Sequence, residues 1–498
     1  MSEKSSQVLI EAELEIITRE ADIDFTKDCC MFGSKQHKQF IKNKMKKCNS
    51  GDKQLYEKQL DILENNIEHA TFEVFGRIPN LKVIRHPKEG IFHPFRVRQY
   101  LIDNILHREE EERKTSWMEL FFDLIFVGVI AQLGHAVQHH LDARGIWEYF
   151  IKFSIVWRVW AMQVMFMNRF FSNDLTSKLY LLVIAAIAIG LSLNIGDYGI
   201  QTWFIAFYLF NEFVNLVGVL FFSIMQKQFF KDLNCGNIVN LFLLLPVFIA
   251  FAVEGDIRTM LLTIHLVAAV YLTLPLISMV NTVLKPKHRT ALNIEHWSER
   301  YGLFSIIVLG ESIIAILNST MDKGVYPTSV LGMTVVASIQ WIYFDVDSAK
   351  QYLHAIRRSR VTGILWYNLH LPLHASIAFS GACLGVLIHD IKEETKYSKK
   401  AQSGYIISLG FILFFMALIG LTHKSLDKQE NRVLRLSKKF RILFRLCVAI
   451  VLIILGSSLY GIGFYPTVIV GLLAALFFSL VIVEEWGRLE VVKAESFE

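Results

Sequence analysis

Glu119 and Asp123 stand four residues apart in "SWMELFFDLIFVGVIAQL", an otherwise apolar run beginning at Ser116. At that spacing both carboxylates lie on one face of a helix. Arg158 sits inside a second apolar run, "VWRVWAM", and Glu212 inside another, "NEFVN", between Asn211 and Asn215. Glu311 lies well within "YGLFSIIVLGESIIAIL", 301–317, with Glu299 and Arg300 just before it. His370 and His374, in "YNLHLPLHAS", share a helical face with Pro372 between them. Ionisable groups in such runs are costly, so each needs a partner or a task. A buried carboxyl that gains and loses a proton near histidines is what a proton relay or cation site needs. A buried Arg–carboxylate pair can equally serve as a fastener between helices. Any one of these residues is explained by the fastening role; so many together are hard to sustain on fastening alone.

Spacing also sets expectations about pairing. Asp123 falls about two turns into its helix, and the next helix runs the opposite way, so Arg158 is predicted to reach Asp123. Glu311 is about 18 Å along its helix from Glu299, near mid-membrane. Arg300, eleven residues before it, shares its face but is too distant to neutralise it. Glu311 must therefore face the bundle interior, water, or a group from another helix. The histidines of the ninth run are predicted at comparable depth.

The elements that must hold these residues follow from composition. Of 498 residues, 53% are hydrophobic and 19% charged, against roughly a quarter charged in soluble domains. From Trp117 onward the apolar runs reach the length of about 18–25 residues that crosses a hydrocarbon core. The fold class is all-α: a polytopic membrane protein of about twelve transmembrane helices, at 117–139, 146–168, 178–195, 202–224, 237–253, 258–284, 297–318, 325–347, 362–389, 402–423, 440–462 and 464–484. "GFYP" predicts a tight turn between the last two.

With both termini in the cytosol, inner loops and tail hold twenty Lys and Arg and outer loops seven, as the positive-inside rule requires. Trp117 and Glu119 match Trp297 and Glu299, each opening an odd-numbered span. Two parallel six-helix repeats would follow. The chain divides into a polar cytosolic region at 1–115, repeats at 116–290 and 291–486, and a tail at 487–498. Within the first region, the basic run at 35–60 and the charge run "HREEEERKTS" suggest short helices. "FHPFRVRQYLIDNIL" reads as an amphipathic segment on the membrane surface or a solvated helix.

For the remaining motifs, plainer readings stand beside other chemistry. The six cysteines, Cys29, Cys30, Cys48, Cys235, Cys383 and Cys447, are scattered without a Cys-x-x-Cys, so neither a disulfide framework nor a zinc site is indicated. His135, His139 and His140 crowd the end of the first span; interfacial histidines explain them as well as a transition-metal site. "NST" at 318–320 is a glycosylation sequon close to the membrane. The basic stretch at 424–441 would meet anionic headgroups or fix topology. No signal-peptide pattern opens the chain, and no phosphate-binding loop or His-Glu-x-x-His occurs.

Four segments carry a resemblance. "SWMELFFDLIFVGVIAQL" is similar to the first-helix signature of the low temperature requirement A (LtrA) family. "EHWSERYGLFSIIVLGESIIAI" resembles its most specific block, and "WIYFD" (341–345) and "YNLHLPLH" (367–374) resemble two more. The likeness runs from about Glu112 to His389, then more faintly. It implies a multi-pass membrane protein, with Glu119, Phe122, Asp123, Glu299, Arg300, Gly302, Gly310, Glu311, Asp345 and His370 at motif positions. The long N-terminal region resembles eukaryotic members more than bacterial ones. The family pattern follows the second span with Arg-Phe-Asp; this chain reads "NRFFSND", with Phe171 at the first acid position. Six plus six helices with "FFD" early in the first also resemble, at fold level only, the lysosomal two-repeat potassium channels.

The expected function is a transporter or channel for a small ion or solute, proton-linked, with Glu119, Asp123, Arg158, Glu212, Glu299, Arg300, Glu311, Asp345, His370 and His374 along the path. No metal or cofactor and no nucleic acid is called for; the partners are the bilayer and the ion or solute, and a homo-oligomer remains open. A membrane-embedded enzyme acting on lipid, or a non-transporting sensor or scaffold, are the alternatives.

Overall fold

The computed structural model describes residues 72–73, 80–84, 97–102, 105–109, 115–170, 174–196, 198–284, 288–318, 324–347, 354–392, 398–423, 434–460 and 462–489. Among these, twelve stretches are helical, long and apolar enough to cross a membrane. They are Trp117–Gln138, Ala143–Phe170, Leu175–Leu193, Thr202–Met225, Lys227–Ala252, Gly255–Leu272, Ile294–Leu317, Val325–Phe344, Val361–Ile391, Lys399–Thr422, Lys438–Ser458 and Pro466–Arg488, here the first to twelfth spans. The polytopic all-α class is as the apolar runs predict. The fifth span starts at Lys227 rather than 237. Local capping sets several starts: Ser116 closes a capping box with Glu119, Asp174 caps the third span, and Asn293 caps the seventh. Pro466 opens the twelfth, where a missing N–H costs nothing.

Burial identifies the central posts. In the second span 83% of the most apolar window is buried, and in the ninth 72%, against 28–33% in the fourth, fifth, sixth and eleventh. The outer spans present rows of exposed Leu, Ile and Phe, as lipid-facing surfaces must without a hydrophobic penalty. The first and seventh spans lie side by side and run the same way. Glu119 meets His296 and Asp123 meets Arg300, while Gly134 lies against Glu311; each pair is separated by the same interval in sequence.

Two spans depart from regular helix. The fifth is a 3₁₀ turn, Lys227–Phe229, then Phe230–Leu243, then Leu245–Ala252. Pro246 follows that break, since proline cannot donate to the preceding turn. The sixth, predicted as 258–284, runs Gly255–Val267, passes through a π turn at Ala268–Leu272, and resumes as Thr273–Leu284.

The reading of "FHPFRVRQYLIDNIL" as an amphipathic or solvated helix is corrected. Tyr100–Ile102 and Ile105–Glu109 are strands, β3 and β4, in a four-stranded sheet with β2 (Asn80–Ile84) and β5 (His288–Thr290), in the order β2-β4-β3-β5. A two-residue pairing joins β1 (Phe72–Glu73) to β6 (Leu292–Asn293). The reason is visible in burial: Val97, Gln99 and Leu101 are buried while Arg98, Tyr100 and Ile102 between them are half-buried, a period of two. β3 also finds an antiparallel partner in the connector between the sixth and seventh spans, and Gln99 O accepts from Ala291 N at 2.9 Å. The N-terminal region thus straps the connector that leads into the seventh span. The basic run at 35–60, Cys29, Cys30, Cys48 and residues 110–114 of the charge run lie outside the described residues, as do 424–433 of the later basic stretch.

Candidate functional site

Among the described residues, four groups of polar side chains hold the buried acids and histidines singled out by the sequence. The first is a ladder between the first and seventh spans. Glu119 Oε2 accepts from His296 Nε2 at 2.9 Å, and Asp123 Oδ1 accepts from Arg300 Nη2 at 2.7 Å; all four residues are buried. Each pair of rungs is spaced four residues apart on its own helix, which is why they meet twice. Trp160 Nε1 also donates to Asp123 Oδ1, at 2.9 Å. Asn168 completes the end of the ladder: its Nδ2 lies 3.1 Å from His296 Nδ1, and its amide pairs reciprocally with the Asn293 backbone at 2.8 and 2.9 Å. His296 therefore donates from Nε2 and accepts at Nδ1. The expected Arg158–Asp123 pair is absent; Arg300 takes that place, because the seventh span, not the second, brings a cation to the depth of Asp123.

Glu311 stands alone beyond an aromatic layer. Phe304 packs on Trp160, with ring centroids 4.0 Å apart, and edge-on against Phe126. Past them Glu311 is 4% exposed, and among the described residues its buried Oε2 has no hydrogen-bond partner. Two glycines make its space. A Cβ on Gly134 of the first span would fall 2.2 Å from Oε1, and one on Gly381 of the ninth would fall 3.0 Å from Cγ. Tyr149 of the second span is within electrostatic reach and donates its hydroxyl to Ala375 O at 3.0 Å. Of the three settings expected for Glu311, bundle interior, water or a group from another helix, its burial corresponds to the first.

The histidines do not join it. His374 accepts at Nδ1 from Trp157 Nε1 (3.1 Å), and its Nε2 meets Ser305 Oγ (2.9 Å), whose own proton goes to Tyr301 O. A proton on Nδ1 would set two N–H groups face to face. His370 places Nδ1 2.7 Å from Trp366 O and Nε2 3.2 Å from Tyr343 OH. Tyr301, Trp366 and Tyr343 box its ring. The ninth span meets the seventh at His374–Ser305 and again at Gly381–Ser312, so along the axis His374 sits roughly 10 Å and His370 roughly 15 Å below Glu311. They are at a different depth from the one expected. The helix passes through Pro372 unbroken.

The fourth group surrounds Arg158. Its Nε donates to Tyr208 OH at 2.9 Å and lies 3.4 Å from Glu212 Oε1; Nη2 donates to Asn240 Oδ1 and Nη1 to Ala269 O. Asn240 Nδ2 in turn donates to Glu212 Oε2 at 2.7 Å. Tyr208 OH contacts His265 Nε2, and His265 Nδ1 reaches Leu243 O, both at 2.7 Å. The two carbonyls used, Leu243 and Ala269, lie at the break of the fifth span and in the π turn of the sixth, where the regular ladder of helix bonds lapses.

Glu299 is exposed and belongs to none of these groups. Its sequence match, Glu119, is fully buried, and the matched tryptophans differ the opposite way: Trp117 is 88% exposed and Trp297 buried. The side chain of Asp345 lies outside the described residues. Of the remaining motif positions, Phe122 is buried, Gly302 lets Phe344 approach and Gly310 faces Val127. His135 and His139 meet edge to face, with centroids 5.0 Å apart, on the exposed side of the first span. Sequence reasoning passed over His296, Asn168, Asn240, Tyr208 and His265. His296 was findable, since it precedes Arg300 by four as Glu119 precedes Asp123. So was "GACLG", 381–385, a small-xxx-small pattern that permits close helix approach.

Twelve apolar crossings enclosing paired and unpaired charges define an integral, multi-pass helical membrane protein. Residues 114–482 match the family model described as bacterial low temperature requirement A protein (LtrA), and the chain belongs to that family. It matches no curated protein and no solved structure.

Proposed function

We propose that this LtrA protein is a transporter or channel for a small ion or solute, linked to protons, with Glu311 as the proton-binding group. One observation carries this. Glu311 is a buried carboxyl with one oxygen unsatisfied, held where glycines of two neighbouring helices leave it room. A buried polar atom without a partner is costly, and in a membrane span an uncompensated acid marks a pathway or relay. The distribution of Lys and Arg among the loops supports placing both termini in the cytosol, and the side-by-side first and seventh spans are compatible with two six-helix repeats.

The test is flux in liposomes holding the purified protein and a trapped pH-sensitive dye. Glu311→Gln should abolish proton movement while inserting and melting like the parent chain. Flux unchanged by the substitution would overturn the proposal.

A second reading, a non-transporting sensor or scaffold, draws on a different observation: Glu119–His296, Asp123–Arg300 and Arg158–Glu212 are each locked pairwise, as fasteners would be. It predicts that the unmodified chain carries no flux under any imposed gradient.

A further inference from the structure

A cavity of about 150 Å³ lies between the second, fourth, fifth, sixth and ninth spans. It extends from the end of the second span, at Arg169 and Phe170, inward to Arg158, Asn240 and the π-turn residues Ala269 and Val270. Among the described residues, two arginines line it and no carboxylate does. Arg158 is balanced by Glu212. Arg169 is not: among the described residues its guanidinium makes no hydrogen bond or ion pair, and Nε is buried without a partner. Asp232, within electrostatic reach, spends Oδ2 on the Thr290 N and Oγ1, both at 2.8 Å. Asn215, 5% exposed, also borders the cavity; its Oδ1 accepts from Gln163 and Tyr180, and its Nδ2 is left without a partner. An unpaired guanidinium beside an orphaned amide donor, inside a membrane protein, is a site lacking its acceptor. The rest of the wall is apolar, from Met162, Met165, Phe166 and Val219.

We propose that this cavity binds a compact amphiphilic anion, its carboxylate or phosphate oxygens on Arg169 and its apolar body against Met165 and Phe166. A space of about 150 Å³ takes a body the size of benzene. Guanidinium matches oxyanions bidentately, with stronger bonds than a neutral donor offers. The head group has two sources: a soluble organic acid or an anionic lipid. What the ligand is for rests on the transporter proposal; whether it binds does not.

The experiment uses the full chain in nanodiscs of zwitterionic lipid, with benzoate as probe, benzamide as its uncharged counterpart, and phosphatidylglycerol added in a separate arm. Benzoate should raise the melting temperature and bind at least about tenfold more tightly than benzamide, the loss expected for one charge-assisted hydrogen bond. Arg169→Gln should erase that preference while melting no lower than the parent without ligand. A second variant avoids charge altogether. A Cβ on Gly236 would meet only Ile277 Cδ1, at 3.6 Å, so Gly236→Leu should fill the cavity and exclude the probe. An Arg169-dependent response to phosphatidylglycerol alone assigns the head group to lipid. If neither anion binds, or if Arg169→Gln keeps the preference, the site is overturned. Glu311 does not line the cavity, so Glu311→Gln should bind benzoate unchanged, and loss of flux there leaves this site standing.

Discussion

The Glu311 carboxyl occupies the space that a side chain on Gly134 would need: a Cβ there would lie 2.2 Å from Oε1 and 2.5 Å from Cδ. Gly134→Ala must push the carboxyl aside, and overpacking of this kind costs about 1–3 kcal/mol. The cost should disappear in the Glu311→Ala background, because the obstructing group is gone. Gly381→Ala is different. Its Cβ would meet the Ser312 backbone nitrogen at 2.7 Å, and backbone cannot swing away. Thermal melts in detergent of the three single variants and of the two doubles with Glu311→Ala check this: Glu311→Ala should rescue Gly134→Ala and leave Gly381→Ala impaired. Equal rescue of both would show that Glu311 is not what fills the gap.

The Asp123–Arg300 rung yields a double-substitution test. Both groups are buried, and among the described residues Arg300 Nε and Nη1 have no partner. Removing one side strands a charge, at about 3–5 kcal/mol. Asp123→Leu and Arg300→Met should each lower the melting point strongly. The double variant should recover much of the loss, since a buried pair replaced by apolar residues of similar size is often neutral. Additive losses would mean that the two residues are not coupled.

Much of this arrangement is legible in the sequence, and what is not has a physical cause. The spans are readable because lipid demands long apolar helices and nothing else satisfies their backbones. The buried acids are readable because charge is rare there. Partner choice is not. Asp123 lies on the face toward both the second and seventh spans, and only the packing of the two halves decides that Arg300 arrives and Arg158 turns to Glu212. The depth of His370 and His374 fails for a similar reason: helix register between non-consecutive spans leaves no periodic trace. Tyr100–Ile102 and Ile105–Glu109 pair with each other, but the partners that flank them, His288–Thr290 and Asn80–Ile84, are not adjacent in sequence, and the first is remote; that is why these strands were missed.

That remote pairing gives a third prediction. Asn168 holds Asn293 through both its amide oxygen and nitrogen, and so fixes the start of the seventh span against the second. Asn168→Ala removes both bonds and frees the His296 Nδ1 contact. Hydrogen exchange should quicken at 288–296, the strapped connector and first turn, with the ninth span unaffected. Uniform acceleration through the bundle would instead indicate global loosening, and no acceleration would mean the sheet alone holds the connector.

Glu484 of the twelfth span accepts from Arg441 Nη1 at 2.8 Å and from Arg445 Nε, both from the eleventh span. All three side chains are buried, and among the described residues Arg441 Nε and Arg445 Nη1 have no partner. One carboxylate thus balances two guanidinium groups where the last two helices meet, and its loss strands both. Glu484→Gln should cost more than removal of either arginine, about 3–5 kcal/mol or above, and the eleventh and twelfth spans should separate first. Arg445→Met leaves a one-to-one pair with Arg441 and should be the mildest of the three. Limited proteolysis between these spans, read alongside melting, checks the order. If Glu484→Gln proves milder than Arg445→Met, the carboxylate is not the keystone of the pair.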